Sequence, residues 1–577
     1  MGRLRCGKDY IAALIRESST ALANSAISAS GKIHWIKNMH SHLFRYLLRA
    51  GTLVTNSILD CRLGILYCLF ASTMMMSTFK LLIFCACLLH GINALITSSL
   101  TSTCTTAPIT LSIDVSSPSS TTAPYFASWN IDSSRDRLFF NISWSNPKLV
   151  YLLNQIGNAQ IRWGGTGNDA LYYGFGDAAP CAPTVPKVYE CLNSSWYDDI
   201  AALSVSSNSP LVFGLNIHPP GTISPPKGTW NSSNARSLLQ YAKSKSSNIA
   251  FLELGNEQNT IMSAADEAAS FITLAALLDD IYGTGSDRPL LVGPDTHSFH
   301  DAGSSTKVVI KFLQDFARAT KGVVSGITHH EYIEVTADNV LNSTFLDLSS
   351  SIAIAMTEAI RAVSPDLAVW AGEISLHNGG TYGPNGEVPD CSGNHVCGRF
   401  GSALWYADSM SAKAAAGYKA YNRQDAIGAN YGLINSTSYL PTPDYYLLRV
   451  WKATVGSKVL TVQPSPTSLR AYAFCSAQVK NSVTLVLLNI DVSASTCVTL
   501  PSFASGNVTI YALTAGAEGV VDPNAYLNGQ LLALDDAGHV PGVVGVSINA
   551  ATGINLPPQS VTFVTIPSAN GAVPACA

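Results

Sequence analysis

The chain has 577 residues, of which 47% are hydrophobic and 12% are charged, and its formal net charge is −4 at pH 7. This length accommodates a large catalytic domain and a smaller one, and the composition excludes a mainly disordered protein. Without residues 1–94 the chain keeps 24 Lys+Arg and 35 Asp+Glu, a net charge of −11. An acidic protein of this kind is a poor match for nucleic acid or for a densely sulfated polyanion.

The N-terminal region contains an apolar stretch, residues 63–96, in which Lys80 is the single charge. Within it, residues 74–94 have the basic start, apolar run and small final residues of a signal peptide. Residues 1–73 are interpreted as an extension of the gene model, with the true start at Met74, Met75 or Met76. Alternatively, the apolar stretch is a signal anchor that associates the protein with a membrane and leaves the upstream basic residues in the cytoplasm.

Residues 95–120 read as a linker with one strand, and residues 121–455 alternate between short apolar runs and helix-like segments. Helices are predicted at Ser263–Tyr282, Thr306–Ala319 and Ile352–Val363 from apolar residues at helical spacing. Eight strands are predicted, at Tyr125–Ile131, Ala159–Trp163, Leu211–Ile217, Ala250–Leu254, Leu290–Gly293, Gly326–His330, Ala368–Ala371 and Ala429–Ile434. Strands separated by helical crossovers predict an α/β fold, a (β/α)8 TIM barrel.

Two glutamates follow apolar runs of this barrel, Glu257 after the fourth and Glu373 after the seventh. In such barrels catalytic residues lie at the carboxyl ends of the strands. A buried ionisable group costs folding free energy unless it has a partner or a function. Cleavage of a glycosidic bond requires two carboxyl groups, so this pair predicts a glycosidase.

Residues 456–577 change to period-two strands with Pro, Gly and Asn breaks, which predicts a C-terminal β-sandwich. The strand Ile109–Ile113 from the N-terminal linker is expected to join it.

Eight cysteines lie beyond residue 94, and none has the CxxC spacing of a metal site. An even number of cysteines behind a signal peptide predicts disulfides. Six glycosylation sequons agree with a secretory route; they begin at Asn141, Asn193, Asn231, Asn342, Asn435 and Asn507. We therefore expect a secreted protein, extracellular or in the cell wall or matrix, with a membrane-anchored or vacuolar or lysosomal location as the alternative. Nothing in the sequence calls for a metal or an organic cofactor.

The order and content of several motifs resemble glycoside hydrolase family 79, the heparanase-like β-glucuronidases, from about residue 107 to the C-terminus. These motifs are Ile161–Thr166, Phe213–Asn216, Trp230–Ala235, Leu252–Glu257, Gly293–Asp295, Thr328–His330, Gly372–Glu373, Gly428–Tyr431 and Pro443–Tyr445. The resemblance implies a retaining hydrolase with Glu257 as acid/base and Glu373 as nucleophile. Retention places the two carboxyl groups about 5–5.5 Å apart, and Glu257 is expected to have a raised pKa so that it can donate a proton.

The resemblance also assigns residues that bind the sugar. Asp132 and Thr166 match residues that hold it in the −1 subsite, and Asn256 matches an asparagine that bonds its 2-hydroxyl. An asparagine at this position could equally cap the following helix. His330 and Tyr332 alternate onto one face of the sixth strand and are both expected to point into the site, although a histidine there could also be an ordinary core residue.

Specificity for glucuronate is implied by three further positions. Gly379 and Gly380 match a glycine pair whose backbone amides receive the uronic acid carboxylate, and Tyr431 matches a tyrosine whose hydroxyl assists them. Backbone N–H groups recognise an anion without requiring a cation. The alternative for the two glycines is an ordinary turn.

Among the cysteines, Cys475 and Cys576 resemble the family's C-terminal disulfide. Proximity suggests Cys181 with Cys191, and Cys391 with Cys397 in an insertion at residues 381–399; Cys104 and Cys497 remain by elimination. The loop between Cys181 and Cys191 has Lys187 as its only basic residue. The basic clusters and the excised linker of animal heparanase are missing, which favours the plant and microbial members.

The expected partner is therefore a carbohydrate substrate, a glycan or glycoconjugate that contains glucuronic acid. A retaining glycosidase of another specificity, such as a β-xylosidase or galactanase, is an alternative, because barrel and glutamates do not select the sugar. A third interpretation is a non-catalytic glycan-binding matrix protein on the same scaffold.

Overall fold

The computed structural model describes Cys104 and residues 107–577, except residues 135–138, 177–180, 182–189, 219–229, 300–303, 378–393, 464–465, 502–505 and 568–572. The expected signal peptide or anchor, the glycine pair Gly379–Gly380 and Cys391 therefore lie outside the described residues. All described residues belong to one compact unit, Ala94–Ala577. Within them, no helix has the length and apolarity needed to span a membrane.

Eight parallel strands form a closed barrel in which each strand pairs with the next along the chain and the eighth pairs with the first. They are β1 (Ala127–Asp132), β2 (Ile161–Gly164), β3 (Leu211–Leu215), β4 (Ile249–Leu254), β5 (Leu290–Phe299), β6 (Gly326–Tyr332), β7 (Ala368–Ser375) and β8 (Ala420–Arg423). Several of them are buried along their whole length, as expected of a parallel sheet that is covered on both faces. The predicted (β/α)8 barrel is confirmed.

Eight α-helices are described, and they include the three that the sequence predicted. They are α1 (Pro147–Asn154), α2 (Ser194–Ser206), α3 (Ser233–Ser244), α4 (Ala264–Tyr282), α5 (Ser304–Ala319), α6 (Ser343–Arg361), α7 (Phe400–Ala416) and α8 (Pro443–Thr454). Short 3-10 helices occupy Phe139–Asn141, Thr166–Ala170, Gln258–Thr260, Gly519–Val521, Ala550–Thr552 and Pro574–Cys576. Helix α4 begins at the predicted place because the Ser263 side chain accepts a hydrogen bond from the Asp266 N–H.

The prediction of the eighth strand at Ala429–Ile434 is wrong. That segment is a buried loop with isolated bridges, and the eighth strand is Ala420–Arg423. The true strand ends in Asn422 and Arg423, which a search for apolar runs passes over. Both are buried because they have polar partners: Asn422 accepts a hydrogen bond from Gln160 at 3.0 Å, and Arg423 donates one to Asp444 at 2.7 Å.

The C-terminal region is a β-sandwich that includes strands from the N-terminal segment, as predicted. Its ten-stranded sheet comprises Ile113–Asp114, Ser120–Thr121, Val455–Val462, Leu469–Ser476, Val483–Asn489, Asn507–Ala515, Ala525–Leu527, Gln530–Leu531, Val546–Asn549 and Ser560–Ile566. A three-stranded sheet joins Ile109–Thr110, Thr496–Thr499 and Ile554–Leu556, and a separate two-stranded sheet joins Leu171–Tyr173 and Glu190–Leu192. The barrel is thus inserted between strands of a single sandwich.

Three disulfides are described: Cys104–Cys497, Cys181–Cys191 and Cys475–Cys576. The first ties the N-terminal segment to the sandwich, and the third ties the last turn of the chain to the second long strand of the ten-stranded sheet. Cys397 is also disulfide-bonded, but Cys391, its expected partner, lies outside the described residues.

The sequence separations of the disulfides predict unequal effects on stability. Cys475–Cys576 closes 101 residues and Cys181–Cys191 closes 10. A cross-link restricts the unfolded chain more when its loop is longer, so the double Cys475→Ser/Cys576→Ser variant should lose about 2 kcal/mol more unfolding free energy than Cys181→Ser/Cys191→Ser. Urea denaturation of both variants under non-reducing conditions measures the difference. Equal losses would contradict the chain-entropy explanation.

Candidate active site

The two predicted catalytic glutamates lie at the same end of the barrel. Glu257 follows β4 with a backbone φ of 56°, a left-handed conformation that costs a residue with a side chain about 1–3 kcal/mol. Its N–H donates to the Asp295 carbonyl on β5 at 2.9 Å, which holds the strained turn. Glu373 lies inside β7 rather than just past it, because this strand continues to Ser375.

A buried arginine, Arg162 on β2, connects carboxylates from three other strands. Its Nε lies 2.8 Å from Oε2 of Glu253 on β4, and its Nη1 lies 2.9 Å from Oε2 of Glu373. Its Nη2 pairs with Asp295 on β5. The arginine side chain is 1% exposed, so these pairs are held away from water, where ionic contacts are strong and unpaired charges are costly.

The imidazole of His330, on β6, lies between the two glutamates that the sequence predicted to be catalytic. Nδ1 is 2.7 Å from Oε1 of Glu257, and Nε2 is 3.9 Å from Oε2 of Glu373. Nε2 is also 2.8 Å from Oδ1 of Asp295, a close ionic contact that is not aligned as a hydrogen bond. The carboxylates of Glu257 and Glu373 therefore contact opposite sides of a single ring. This arrangement distinguishes His330 from a core histidine bonded to a backbone carbonyl.

Glu373 is held from two directions. Besides the Arg162 contact, its Oε1 accepts a hydrogen bond from the Tyr332 hydroxyl. Burial raises the pKa of Glu373, while the positive charges of His330 and Arg162 oppose that rise. A fixed carboxylate that is stripped of water is well suited to act on an adjacent electrophile.

The expectation of a raised pKa for Glu257 is wrong for this structure. Burial alone would raise the pKa, but the hydrogen bond and the positive charge of His330 outweigh it and hold the pKa of Glu257 below its ordinary value. The pKa of His330 is raised well above its usual range, against its burial, by the charges of Asp295 and Glu373. Of this pair, it is therefore His330, 2.7 Å from Glu257, whose pKa is raised.

Carboxyl groups outnumber cations around this centre. Burial raises the pKa of Glu253 to about 8 and that of Asp169 to about 7. Burial also raises the pKa of Glu267 on α4 well above its ordinary value. These three groups therefore bind protons in the folded protein that the unfolded chain would release near neutral pH.

The predicted sugar-binding residues Asn256 and Thr166 are in contact. Asn256 is buried; its Nδ2 donates to Thr166 Oγ1 at 3.3 Å, and its Oδ1 accepts from Arg162 at 3.3 Å. The Asn256 N–H donates to Asp169 at 2.9 Å. Asn256 is therefore fixed by the carboxylate network and does not cap a helix with its side chain.

Asp132, which the resemblance assigns to sugar binding, lies at the end of β1. Its Oδ2 accepts a hydrogen bond from Gln424 at 2.8 Å, and its Oδ1 accepts one from the Ser134 N–H at 2.8 Å. Gly165 has a φ of 92°, and a Cβ there would lie 2.5 Å from the Asp132 carboxyl. A glycine is therefore required beside this aspartate.

Tyr431 is fully buried in the loop after β8. Its ring centroid lies 6.5 Å from that of Tyr332, the residue that bonds Glu373. Its carbonyl accepts a hydrogen bond from Arg423 at 3.0 Å. The tyrosine therefore lines the same end of the barrel as the two glutamates.

Three members of the network were not assigned a role from the sequence: Arg162, Glu253 and Asp295. All three stand inside motifs of the resemblance, Ile161–Thr166, Leu252–Glu257 and Gly293–Asp295, and Glu253 lies between two leucines of an apolar run. Their position inside buried strands could have identified these charged residues, because a buried charge must have a partner. Which residues become the partners depends on the order of the strands in the barrel.

The raised carboxyl pKa values predict how stability depends on pH. A proton held by Glu253 stabilises the fold fully below about pH 4.5, and this stabilisation is lost as the pH rises through about 8. The contribution of Glu253 to the unfolding free energy should therefore fall between pH 5 and pH 8.5, by at most about 1.4 kcal/mol per pH unit. Urea denaturation at several pH values should show that this fall is missing from the curve of Glu253→Gln, which cannot titrate.

The matched control is Asp280→Asn, which removes an exposed carboxylate that pairs with Arg236. It should keep the pH dependence of the wild type. Parallel curves for Glu253→Gln and the wild type would show that another group holds the proton.

Comparisons with known proteins give a family match and several relatives. Residues 127–411 match the model of glycosyl hydrolase family 79, N-terminal domain. Heparanase-like protein 3 of Arabidopsis thaliana is 26% identical over 483 residues, which cover 76% of this chain and 86% of the relative. Baicalin-beta-D-glucuronidase of Scutellaria baicalensis is 26% identical over 467 residues, 74% of this chain and 84% of the relative.

Among solved structures, a 4-O-alpha-L-rhamnosyl-beta-D-glucuronidase from Fusarium oxysporum 12S superposes with a TM-score of 0.56. It is 15% identical and covers 79% of this chain and 100% of its own, a likeness that concerns the fold alone. The family model spans most of the barrel, and the alignments cover 86% and 84% of the two relatives. The resemblance to glycosyl hydrolase family 79, a family of glycosidases, is therefore confirmed, and residues 127–411 belong to this family as its N-terminal domain.

Proposed function

We propose that this protein is a retaining β-glucuronidase that releases β-linked glucuronic acid from a glycan or glycoconjugate. The observation that carries the proposal is the contact of Glu257 and Glu373 with opposite sides of the His330 ring. One carboxyl can then donate a proton to the leaving oxygen while the other attacks the anomeric carbon. The family and the baicalin-beta-D-glucuronidase relative support the reaction class and the choice of sugar.

In the first step, Glu373 forms a bond to the anomeric carbon as the glycosidic bond breaks. Tyr332 and Arg162 already hold the Glu373 carboxylate, so little of its freedom is lost at that moment. The leaving oxygen takes its proton from Glu257.

The source of that proton is His330. Its Nδ1 proton moves along the 2.7 Å contact to the Glu257 carboxylate, which then protonates the leaving oxygen, and His330 becomes neutral. In the second step Glu257 takes a proton from water, the oxygen of that water bonds to the anomeric carbon, and the bond to Glu373 breaks. The proton on Glu257 can return to His330, which restores the starting state.

The preference for a uronic acid rests on Tyr431 and on the resemblance that assigns Gly379 and Gly380. Tyr431 is buried beside Tyr332, and Arg423 lies 5.8 Å from its ring. That cation is already paired with Asp444, so the proposed carboxylate recognition relies on hydroxyl and backbone N–H donors. Asn256, Thr166 and Asp132 are proposed to hold the sugar hydroxyls.

We also propose a secretory route for the protein, with an extracellular or cell-wall location. The three described disulfides suit an oxidising compartment. None of the six sequon asparagines is buried, so each could carry a glycan. Association with a membrane stays a prediction, because it rests on the N-terminal apolar segment, which lies outside the described residues.

The function is tested with aryl β-glucuronide, β-glucoside and β-xyloside. The wild type should prefer the glucuronide, and the first product should keep the β configuration. Glu373→Gln should lose about 10³-fold or more in kcat. Glu257→Gln should lose more activity on substrates with poor leaving groups, because it removes the acid. Glu358→Gln, on the exposed face of α6, is the matched control and should have wild-type activity.

Each alternative function has its own outcome in this experiment. A preference for a neutral sugar would refute the uronate assignment and favour a glycosidase of another specificity. An inverted product would refute the nucleophile role of Glu373. No turnover of any substrate would favour a non-catalytic glycan-binding protein.

The role of His330 predicts a shift in the pH profile. Its positive charge lowers the pKa of both Glu257 and Glu373, so His330→Gln should raise both. The acidic limb of kcat/KM for the aryl glucuronide should then move to higher pH, because Glu373 ionises later. His539→Gln, on the exposed sandwich surface, should leave the profile unchanged. A lower rate with an unshifted profile would show that His330 has only a structural role.

A further inference from the structure

We propose that Glu334, His377 and His395 form a zinc site at the rim of the barrel, separate from the catalytic carboxylates. One ligand atom from each residue lies within 4.8 Å of the other two. Among the residues that the structure describes, this is the one group with such an arrangement. Nothing in the proposed hydrolysis uses these three side chains.

The distances are close to those a bound ion requires. Nδ1 of His377 lies 2.5 Å from Oε2 of Glu334, and Nδ1 of His395 lies 3.9 Å from the same oxygen. The two imidazole ring centroids are 4.4 Å apart. Ligands at about 2.0–2.2 Å from a tetrahedral zinc are separated by roughly 3.4 Å. Zinc binding would thus lengthen the distance from His377 Nδ1 to Glu334 Oε2 by about 1 Å and shorten the distance from His395 Nδ1 to the same oxygen by less.

The Nδ1 atom of His395 is the second observation that indicates a ligand. It is buried and has no hydrogen-bond partner in the described part of the chain. A buried polar atom without a partner costs free energy. A metal ion between His395 and Glu334 would give this nitrogen a partner.

Backbone contacts hold the three ligands in place. Thr336 and His395 form an antiparallel bridge, and the Ala337 N–H donates to the Asn394 carbonyl at 2.7 Å. The Val335 N–H donates to the Leu376 carbonyl at 2.9 Å. Each ligand is therefore next to a residue whose backbone is fixed, so that binding requires little ordering of the chain.

The donor set selects the class of metal. Two imidazole nitrogens and one carboxylate oxygen suit zinc, whereas calcium and magnesium prefer oxygen ligands alone. Three protein ligands leave a coordination position for water. The side chain of Glu334 is 50% exposed and those of His377 and His395 are 19% and 24% exposed, so an ion can reach the site from solvent.

The position of the site suggests a structural role. Glu334 follows β6, two residues after Tyr332, and His377 follows β7, four residues after Glu373. A bound ion would join the segments that leave these two strands and link both to the segment that carries His395. It would therefore fix part of the rim beside the active site without contacting the reacting groups.

The test uses the full chain after treatment with a chelator and removal of the chelator. Zinc binding is measured by competition with a chromophoric chelator, and Co²⁺ is used as a spectroscopic probe of histidine ligation. We expect one zinc per chain, a higher melting temperature with zinc, and no comparable effect of Ca²⁺. His395→Asn, His377→Asn and Glu334→Gln should each weaken zinc binding by about tenfold or more.

The matched control is His539→Asn, which removes an exposed histidine that has a single carboxylate partner, Asp535 at 3.3 Å. It should bind zinc as the wild type does. Glu334→Gln keeps the shape of its side chain, so its melting temperature without metal serves as the check on folding. Zinc uptake below one per chain, zinc binding by the three ligand variants as tight as that of the wild type, or preference for Ca²⁺ would overturn the proposal.

Discussion

The arrangement of the candidate active site depends on the ionic contacts of the Arg162 guanidinium. It joins β2 to carboxylates on β4, β5 and β7 through three separate nitrogen atoms. Removing one partner from a buried ion pair is strongly destabilising, because it leaves an unpaired charge away from water. The site therefore requires all four strands in their places, and Glu373 is fixed by the same contacts that balance its charge. His330 extends the network from Asp295 to Glu257.

The excess of carboxyl groups over cations gives this network its chemical character. A buried centre with more acids than bases must bind protons, and burial places those protons on Glu253, Asp169 and Glu267. In the proposed mechanism the mobile proton lies elsewhere, between His330 and Glu257, where the two atoms are at hydrogen-bond distance. The proposed acid is thus a Glu257–His330 pair rather than a single residue.

Two strands that bear active-site residues also lead into the segments that surround the site. β6 supplies His330 and Tyr332 and continues towards Glu334; β7 supplies Glu373 and continues towards His377. The proposed zinc site lies where these continuations meet. At the chain ends, the N-terminal strands pair with the C-terminal sheet, and the Cys104–Cys497 disulfide fastens them. The sandwich is therefore held together by contacts between segments that are hundreds of residues apart, whereas the barrel is closed by the pairing of β8 with β1.

The sequence alone determined the class of fold, seven of the eight barrel strands, the sandwich and the positions of the two glutamates, because apolar periodicity and strand ends are local properties of the chain. It missed the eighth strand, since Asn422 and Arg423 are buried by partners from other segments. The prediction of a raised pKa for Glu257 is wrong because His330 lies 73 residues away in the chain, so that the residues next to Glu257 do not indicate the effect of its charge. Only the tertiary structure decided which carboxylates pair with Arg162 and that the pKa of Glu257 is lowered while that of His330 is raised, because burial and charge separation are set by contacts between strands that are distant in sequence.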